Sequence, residues 1–166
     1  MPKRTTTIDT VADLKPDPRN ARRHSERNLG VIADLLEQVG AARSIVIDEE
    51  GVVLAGNGVL AAAGRAGIEK VRVVDADGKT LVAVRRIGLT ARQKAQLAVG
   101  DNRSNELSEW DLSALTGLAD EVGLDLVEVG FEPEEIAKLG DGLAEPAPPT
   151  FGDVSEEEPA DKAPAL

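Results

Sequence analysis

A chain of 166 residues, 42% of them hydrophobic, fits one domain of moderate size plus tails, and its lack of cysteine excludes disulfides, thiol nucleophiles and thiolate metal sites. One Trp, two Phe and no Tyr leave the core to small and medium aliphatic side chains. The net charge of −11 is uneven: residues 1–105 carry 17 Lys/Arg against 13 Asp/Glu, and residues 106–166 carry 2 against 17, so the front half permits a phosphate-bearing partner without requiring one.

The polar N-terminus lacks the apolar stretch of a signal peptide, and no apolar run is long enough to span a bilayer. The expectation is a cytoplasmic protein with no membrane partner.

In chain order, the β-branched residues 5–11 predict a first strand. Leu14–Ser25 cannot be a regular helix through Pro16 and Pro18, and it sets Lys15, Arg19, Arg22, Arg23 and His24 on one extended basic loop. His24 has no Cys, His or carboxylate partner at metal-ligand spacing and reads as a surface residue. Ser25 caps a predicted helix to about Val39, with Leu29, Ile32, Leu36 and Val39 at helical spacing and Gly40 as its stop. Ser44–Asp48 and Val52–Leu54 predict two strands around a turn at Glu49–Gly51.

The second strand runs into Gly56-Asn57-Gly58 and then an alanine-rich helix that Gly67 can end in a left-handed cap. The start of such a helix offers backbone donors to an anion, and the glycines allow close approach of a ligand. Taken alone, the same residues also describe a plain strand-to-helix turn. Val71–Val74 and Thr80–Val84 predict two more strands around Asp75–Gly78. Thr90-Ala91-Arg92-Gln93 has the form of a capping box for a helix from Ala91 to about Val99, followed by a polar cluster at Gly100–Leu107. Ser108 is the expected cap of the next helix, with Trp110 in its first turn and Leu112, Leu115, Leu118, Ala119 and Val122 on its apolar face. A short strand or link follows at Leu124–Val129, then a helix over Glu134–Leu139 with Pro133 at its first position. Beyond Gly140 the Pro, Ala and acidic residues show no periodicity, which predicts a disordered acidic tail.

Three polar segments carry the candidate chemistry: the basic loop 15–24, the Gly56-Asn57-Gly58 turn and Asp101-Asn102-Arg103. Arg19, Arg22 and Arg103 are suited to bidentate phosphate contacts. There is no Ser-His-Asp set and no phosphate loop ending in Gly-Lys-Ser/Thr. The paired carboxylates Glu49-Glu50 and Asp75/Asp77 read as hairpin turns. No metal site is predicted.

These segments in this order resemble the ParB/sulfiredoxin-like domain family, which includes the domain called ParB-like nuclease. The resemblance covers roughly residues 8–140. It rests on Leu14-Lys15-Pro16, Pro18-Arg19-Asn20-Ala21-Arg22, His24-Ser25, Ser44–Asp48, Val53–Gly58, Ala61-Ala62, Gly67, Asp101-Asn102-Arg103, Glu106-Leu107, Trp110-Asp111, Gly130-Phe131 and Glu134-Glu135. Its later half is similar to versions from bacteriophages and mobile elements that accompany DNA-modification and packaging proteins.

The resemblance implies an α/β (α+β) fold with a small mixed sheet and packed helices: a domain over residues 8–107, a helical extension over 108–140 and the tail over 141–166, after a flexible N-terminus 1–7. It also implies a ligand, a nucleotide triphosphate such as CTP with its Mg²⁺, or DNA. The implied phosphate-binding set is Gly56, Asn57, Gly58, Arg19, Arg22, Asn102 and Arg103. Partition-type relatives hold the nucleotide on a Gly-x-x-Arg segment, and here Val59 stands in place of the arginine. Their second motif has Glu-Asn-x-x-Arg form, which Asp101-Asn102 begins, with Arg103 two places early. Sulfiredoxin chemistry needs a cysteine that is absent.

The leading expectation is an accessory protein of phage or mobile-element DNA metabolism, with a separate methyltransferase or terminase as partner. One alternative is a metal-assisted nuclease or nucleotide hydrolase using Asp101 and Glu106. The other is a non-catalytic adaptor that recruits a DNA-processing enzyme through its acidic tail.

Overall fold

The computed structural model describes residues 7–142, with side chains described up to Lys138. The predicted tail beyond residue 142 and the start of the first predicted strand lie outside those residues. Among the described residues no helix is long and apolar enough to cross a membrane.

The fold mixes helices with two small sheets, as the sequence implied. Strands β1 (Lys15–Pro16), β3 (Val46–Ile47) and β4 (Val52–Ala55) form a sheet in the order β1-β4-β3, with β1 parallel and β3 antiparallel to β4. Strands β2 (Arg22–His24) and β5 (Ser108–Trp110) pair antiparallel, Arg22 opposite Trp110 and His24 opposite Ser108. The basic loop predicted over 14–25 therefore contains two short strands.

No first strand forms over residues 7–11. The Asp13 carboxylate accepts the N–H groups of Asp9 and Thr10 and the Thr10 hydroxyl, which bends Val11–Asp13 into a 3₁₀ turn. Only one bridge, Thr10 to Lys70, remains of sheet pairing there.

Helix α1 (Glu26–Val39) starts where predicted, the Ser25 hydroxyl accepting the Asn28 N–H, and it ends at Gly40. Helix α2 (Asn57–Ala63) follows β4 through Gly56. Gly67 takes the predicted left-handed conformation, φ +66°, and the Ile68 N–H closes back on the Ala63 carbonyl.

The two strands expected at Val71–Val74 and Thr80–Val84 do not form, although the turn between them does. The Asp77 carboxylate accepts the Lys79 and Thr80 N–H groups, with Gly78 at φ +71°. The flanking β-branched residues are exposed, among them Val74, Val82 and Val84. Strand propensity is realised on a half-buried pleated surface, and beyond Val71, which packs beside Ile8 and Val53, these runs have none.

Helix α3 (Ala91–Glu106) begins with the predicted Thr90/Gln93 capping box and runs seven residues past Val99. Gly100 lies inside it because the helix passes close to α1: a Cβ there would stand 2.7 Å from Leu35 Cδ1. Asp101-Asn102-Arg103 is thus helical and does not form the expected loop.

Ser108 is not a helix cap. It begins β5, and its hydroxyl donates to the Asn105 carbonyl. Helix α4 (Leu112–Val122) is capped by Asp111, whose Oδ1 accepts the Ala114 N–H. Trp110 sits before this helix; it packs its ring on Phe131 at 5.3 Å and on the Arg22 guanidinium at 4.4 Å. A 3₁₀ turn occupies Leu126–Val129 where a strand or link was expected, and helix α5 spans Pro133–Gly142.

Among the described residues the buried apolar side chains are all aliphatic, and all but Val39 and Ala63 fall into three clusters. Ile8, Leu14 and Val53 lie at the three-stranded sheet, and Ile32, Ala33, Leu36 and Ala62 lie between α1 and α2. Ala21 joins Leu115, Ala119 and Leu126, so the residues after 107 are fastened to the front of the chain by both packing and the β2–β5 pair.

Candidate phosphate-binding cleft

Strand β4 ends at Gly56, whose φ of +99° is open to glycine and strained for other residues. A Cβ there would also stand 2.6 Å from Ile45 Cγ2. At Gly58 the obstacle is different: a Cβ would meet Cε1 of His24 at 2.7 Å. The two glycines are required by the turn and by the packing of an imidazole ring, respectively.

Asn57, between them, joins two segments. Its Nδ2 donates to the Val53 carbonyl at 2.9 Å, and its Oδ1 accepts the Asp17 N–H at 3.1 Å. This side chain holds the loop 17–21 against the end of β4. The N–H groups of the first turn of α2 have no acceptor within the helix.

Beside this turn opens a cleft of about 380 Å³. One wall is the Gly56–Val59 turn, another is Asn20, Arg22 and His24, and a third is Arg43 with Ser104, Asn105 and Ser108. Asn20, Arg22 and His24 line it together because alternate residues of an extended segment share a face. Arg23 falls on the other side, 3.9 Å from Asp111. Among the described residues no carboxylate lines the cleft, whereas two guanidinium groups do.

Most of the polar side chains here are engaged with one another. Arg22 Nη2 donates to the Asn105 and Ser108 carbonyls and to the Ser108 hydroxyl, while its guanidinium lies over Trp110. Arg43 is bound to Asp101 at 2.7 Å, to the Ser104 hydroxyl and to Asn105 Oδ1. Asn20 turns both ends of its amide to the Arg22 backbone.

Of the residues singled out in the sequence, Arg22, Gly56, Asn57 and Gly58 meet in this cleft. Arg19 lies on the adjoining loop with its Nε 3.5 Å from Asp17. Asn102 bonds back to the Ala98 carbonyl of its own helix, and Arg103 pairs with Glu106 at 2.6 Å; neither lines the cleft. The acidic candidates Asp101 and Glu106 do not converge. Five residues apart on one helix, they point along different faces and engage Arg43 and Arg103. Among the described residues no three His, Asp or Glu side chains gather as a metal site. Val59, at the position of the family arginine, packs at the edge of the α1–α2 cluster and lines the cleft.

Sequence reasoning missed His24, Arg43 and Ser104. For His24 a signal existed: it stands two residues from Arg22, so reading that stretch as a strand would have placed both on one face. For Arg43 and Ser104, brought together from residues 61 apart, the sequence carried none.

No protein-family model matches the chain, and no solved structure matches it significantly. Over 70 residues, 42% of this chain and 80% of the relative, it is 32% identical to the ParB-like nuclease domain-containing protein YnaK of Escherichia coli (strain K12). With 80% of that relative covered at 32% identity, the chain belongs to the ParB-like nuclease domain family.

Proposed function

We propose that this ParB-like protein binds the phosphate of a nucleotide or nucleic acid in the cleft beside Gly56-Asn57-Gly58, as an accessory factor of phage or mobile-element DNA metabolism. The observation that carries this reading is the composition of the cleft: among the described residues it is lined by Arg22 and by Arg43, which is paired with Asp101 behind it, and by no carboxylate, against a glycine turn that allows close approach. A triphosphate would bring its Mg²⁺ on its own oxygens. Arg19 and Arg103, outside the cleft, would contribute to a longer nucleic acid and little to a mononucleotide.

Calorimetry at low salt with nucleoside triphosphates and with single- and double-stranded DNA tests the reading. The expected result is saturable binding that weakens as salt rises, and that Gly58→Val abolishes while the variant keeps its thermal transition. Arg103→Ala should weaken DNA binding and leave nucleotide binding unchanged. Absence of binding to any of these ligands would end the proposal. Plasmid cleavage in Mg²⁺ that disappears in Asp101→Ala would replace it with the hydrolytic alternative.

A further inference from the structure

His24 is half-buried against Gly58, and its Nδ1 lies 2.7 Å from Oδ1 of Asn28. Asn28 is fully buried, and its Nδ2 donates to the Ser104 carbonyl at 2.6 Å. That carbonyl accepts only, so the amide orientation is determined: reversing it would set two oxygens against each other. Asn28 therefore presents an oxygen to the ring, and Nδ1 must carry the proton. In the neutral imidazole this leaves the lone pair on Nε2.

Nε2 has no partner among the described residues, while the polar groups of Asn20, Arg22, Arg43 and Asn57 around it are already bonded. The cleft thus offers one side-chain nitrogen acceptor with its tautomer set by a buried amide. The backbone of His24 stands about 7 Å along β2 from that of Arg22, two residues away on the same face.

We propose that His24 Nε2 accepts a hydrogen bond from a sugar hydroxyl of the bound nucleotide, which makes it a specificity residue of the cleft. This rests on the phosphate-binding reading above. With phosphate held at Arg22, a sugar hydroxyl lies a few bonds away and suits that spacing. An exocyclic base amine lies beyond the sugar. Asn28 acts as the positioning residue, holding the ring by its other nitrogen.

The chain has a single histidine, so its imidazole ¹⁵N signals in the labelled full-length protein are unambiguous. In the neutral form of the ring the free protein should show Nδ1 protonated and Nε2 bare. Titration with CTP should shift the Nε2 resonance, whereas inorganic tripolyphosphate should bind without shifting it. Loss of the hydroxyl in 2′,3′-dideoxy-CTP should abolish the shift and weaken binding about five- to tenfold. His24→Phe, which keeps a ring against Gly58, should weaken CTP by the same factor and leave tripolyphosphate unaffected. His24→Gln, with an oxygen near the Nε2 position, should recover part of the loss.

A free protein protonated at Nε2 would overturn the proposal. So would CTP binding that leaves Nε2 unmoved, or dideoxy-CTP that still shifts it, which would make the base the donor. In each of these cases persistent tripolyphosphate binding keeps the phosphate reading intact. If neither CTP nor tripolyphosphate binds, both fall together.

Discussion

At Gly56 and Gly58 two different constraints exclude a side chain, and their variants should fail differently. Gly56→Ala places a Cβ at φ +99° and against Ile45, where the strand must turn into α2. It should destabilise the fold by about 1–3 kcal/mol, read in denaturant unfolding. Gly58 has ordinary helical backbone, and its Cβ would press on the His24 ring, so a larger residue there should disturb the cleft more than the fold. Asn57 shows how a residue chosen as a ligand contact can be doing structural work. Both ends of its amide are occupied, and Asn57→Ala should cost about 1–2 kcal/mol through the lost bonds to Val53 and Asp17. A change in unfolding free energy below a few tenths of a kcal/mol would contradict that role.

Among the elements, α3 departs most from its sequence reading. Gly100 and the polar residues after it suggested a stop, yet the helix continues because Gly100 brings its backbone against Leu35 of α1. Gly100→Leu should force the two helices apart and destabilise by about 1–3 kcal/mol. Leu35→Ala should recover part of this, since it vacates the space the new side chain needs; additive effects in the double variant would show that the two do not meet. Helix α1 ends in a comparable tertiary contact. Arg86 donates to the carbonyls of Val39 and Ala41, at 2.6 Å each, and so fastens the segment 72–89 to a helix end whose carbonyls lack partners. Gly40, where the helix ends, takes φ +82°, a conformation open to glycine and strained for other residues.

Across the whole molecule, carboxylates recur as the acceptors that shape turns and caps. The Thr10 hydroxyl holds the Asp13 carboxyl below its ordinary value of 3.8, and the Val52, Lys79 and Ala114 N–H groups do the same for Asp48, Asp77 and Asp111. Arg65 lowers Glu26 from 4.5. A carboxyl whose folded-state pKa is depressed contributes stability that is fully present above its unfolded value and lost as pH falls through the folded one. The melting temperature should therefore hold level above roughly pH 5 and fall below that as these groups take up protons. Asp111→Asn, which keeps a side-chain cap for α4 but cannot titrate, should make the acid limb shallower. An unchanged limb would show that the cap is not part of the acid response.

The sequence by itself determined the local features, because local chemistry suffices for them: the Ser25 and Thr90 caps, the hairpin around Gly51, the Gly56 turn, the Gly67 stop and the aliphatic core. It also held the resemblance to the ParB-like family, to which a relative 32% identical over 70 residues belongs. What only the tertiary structure decided depends on partners distant in the chain. Residues 108–110 are a strand because Arg22–His24 lie opposite them, whereas Val71–Val84 keep only the contact of Val71 with Asp9 and the Ile8–Val53 cluster and form no strand among the described residues. Arg22 became part of a wall through Trp110 and Ser108, and His24 came off the surface because the buried Asn28 holds its ring beside Gly58. Propensity and capping act within a few residues, whereas a cleft is made of side chains whose neighbours only the folded chain supplies.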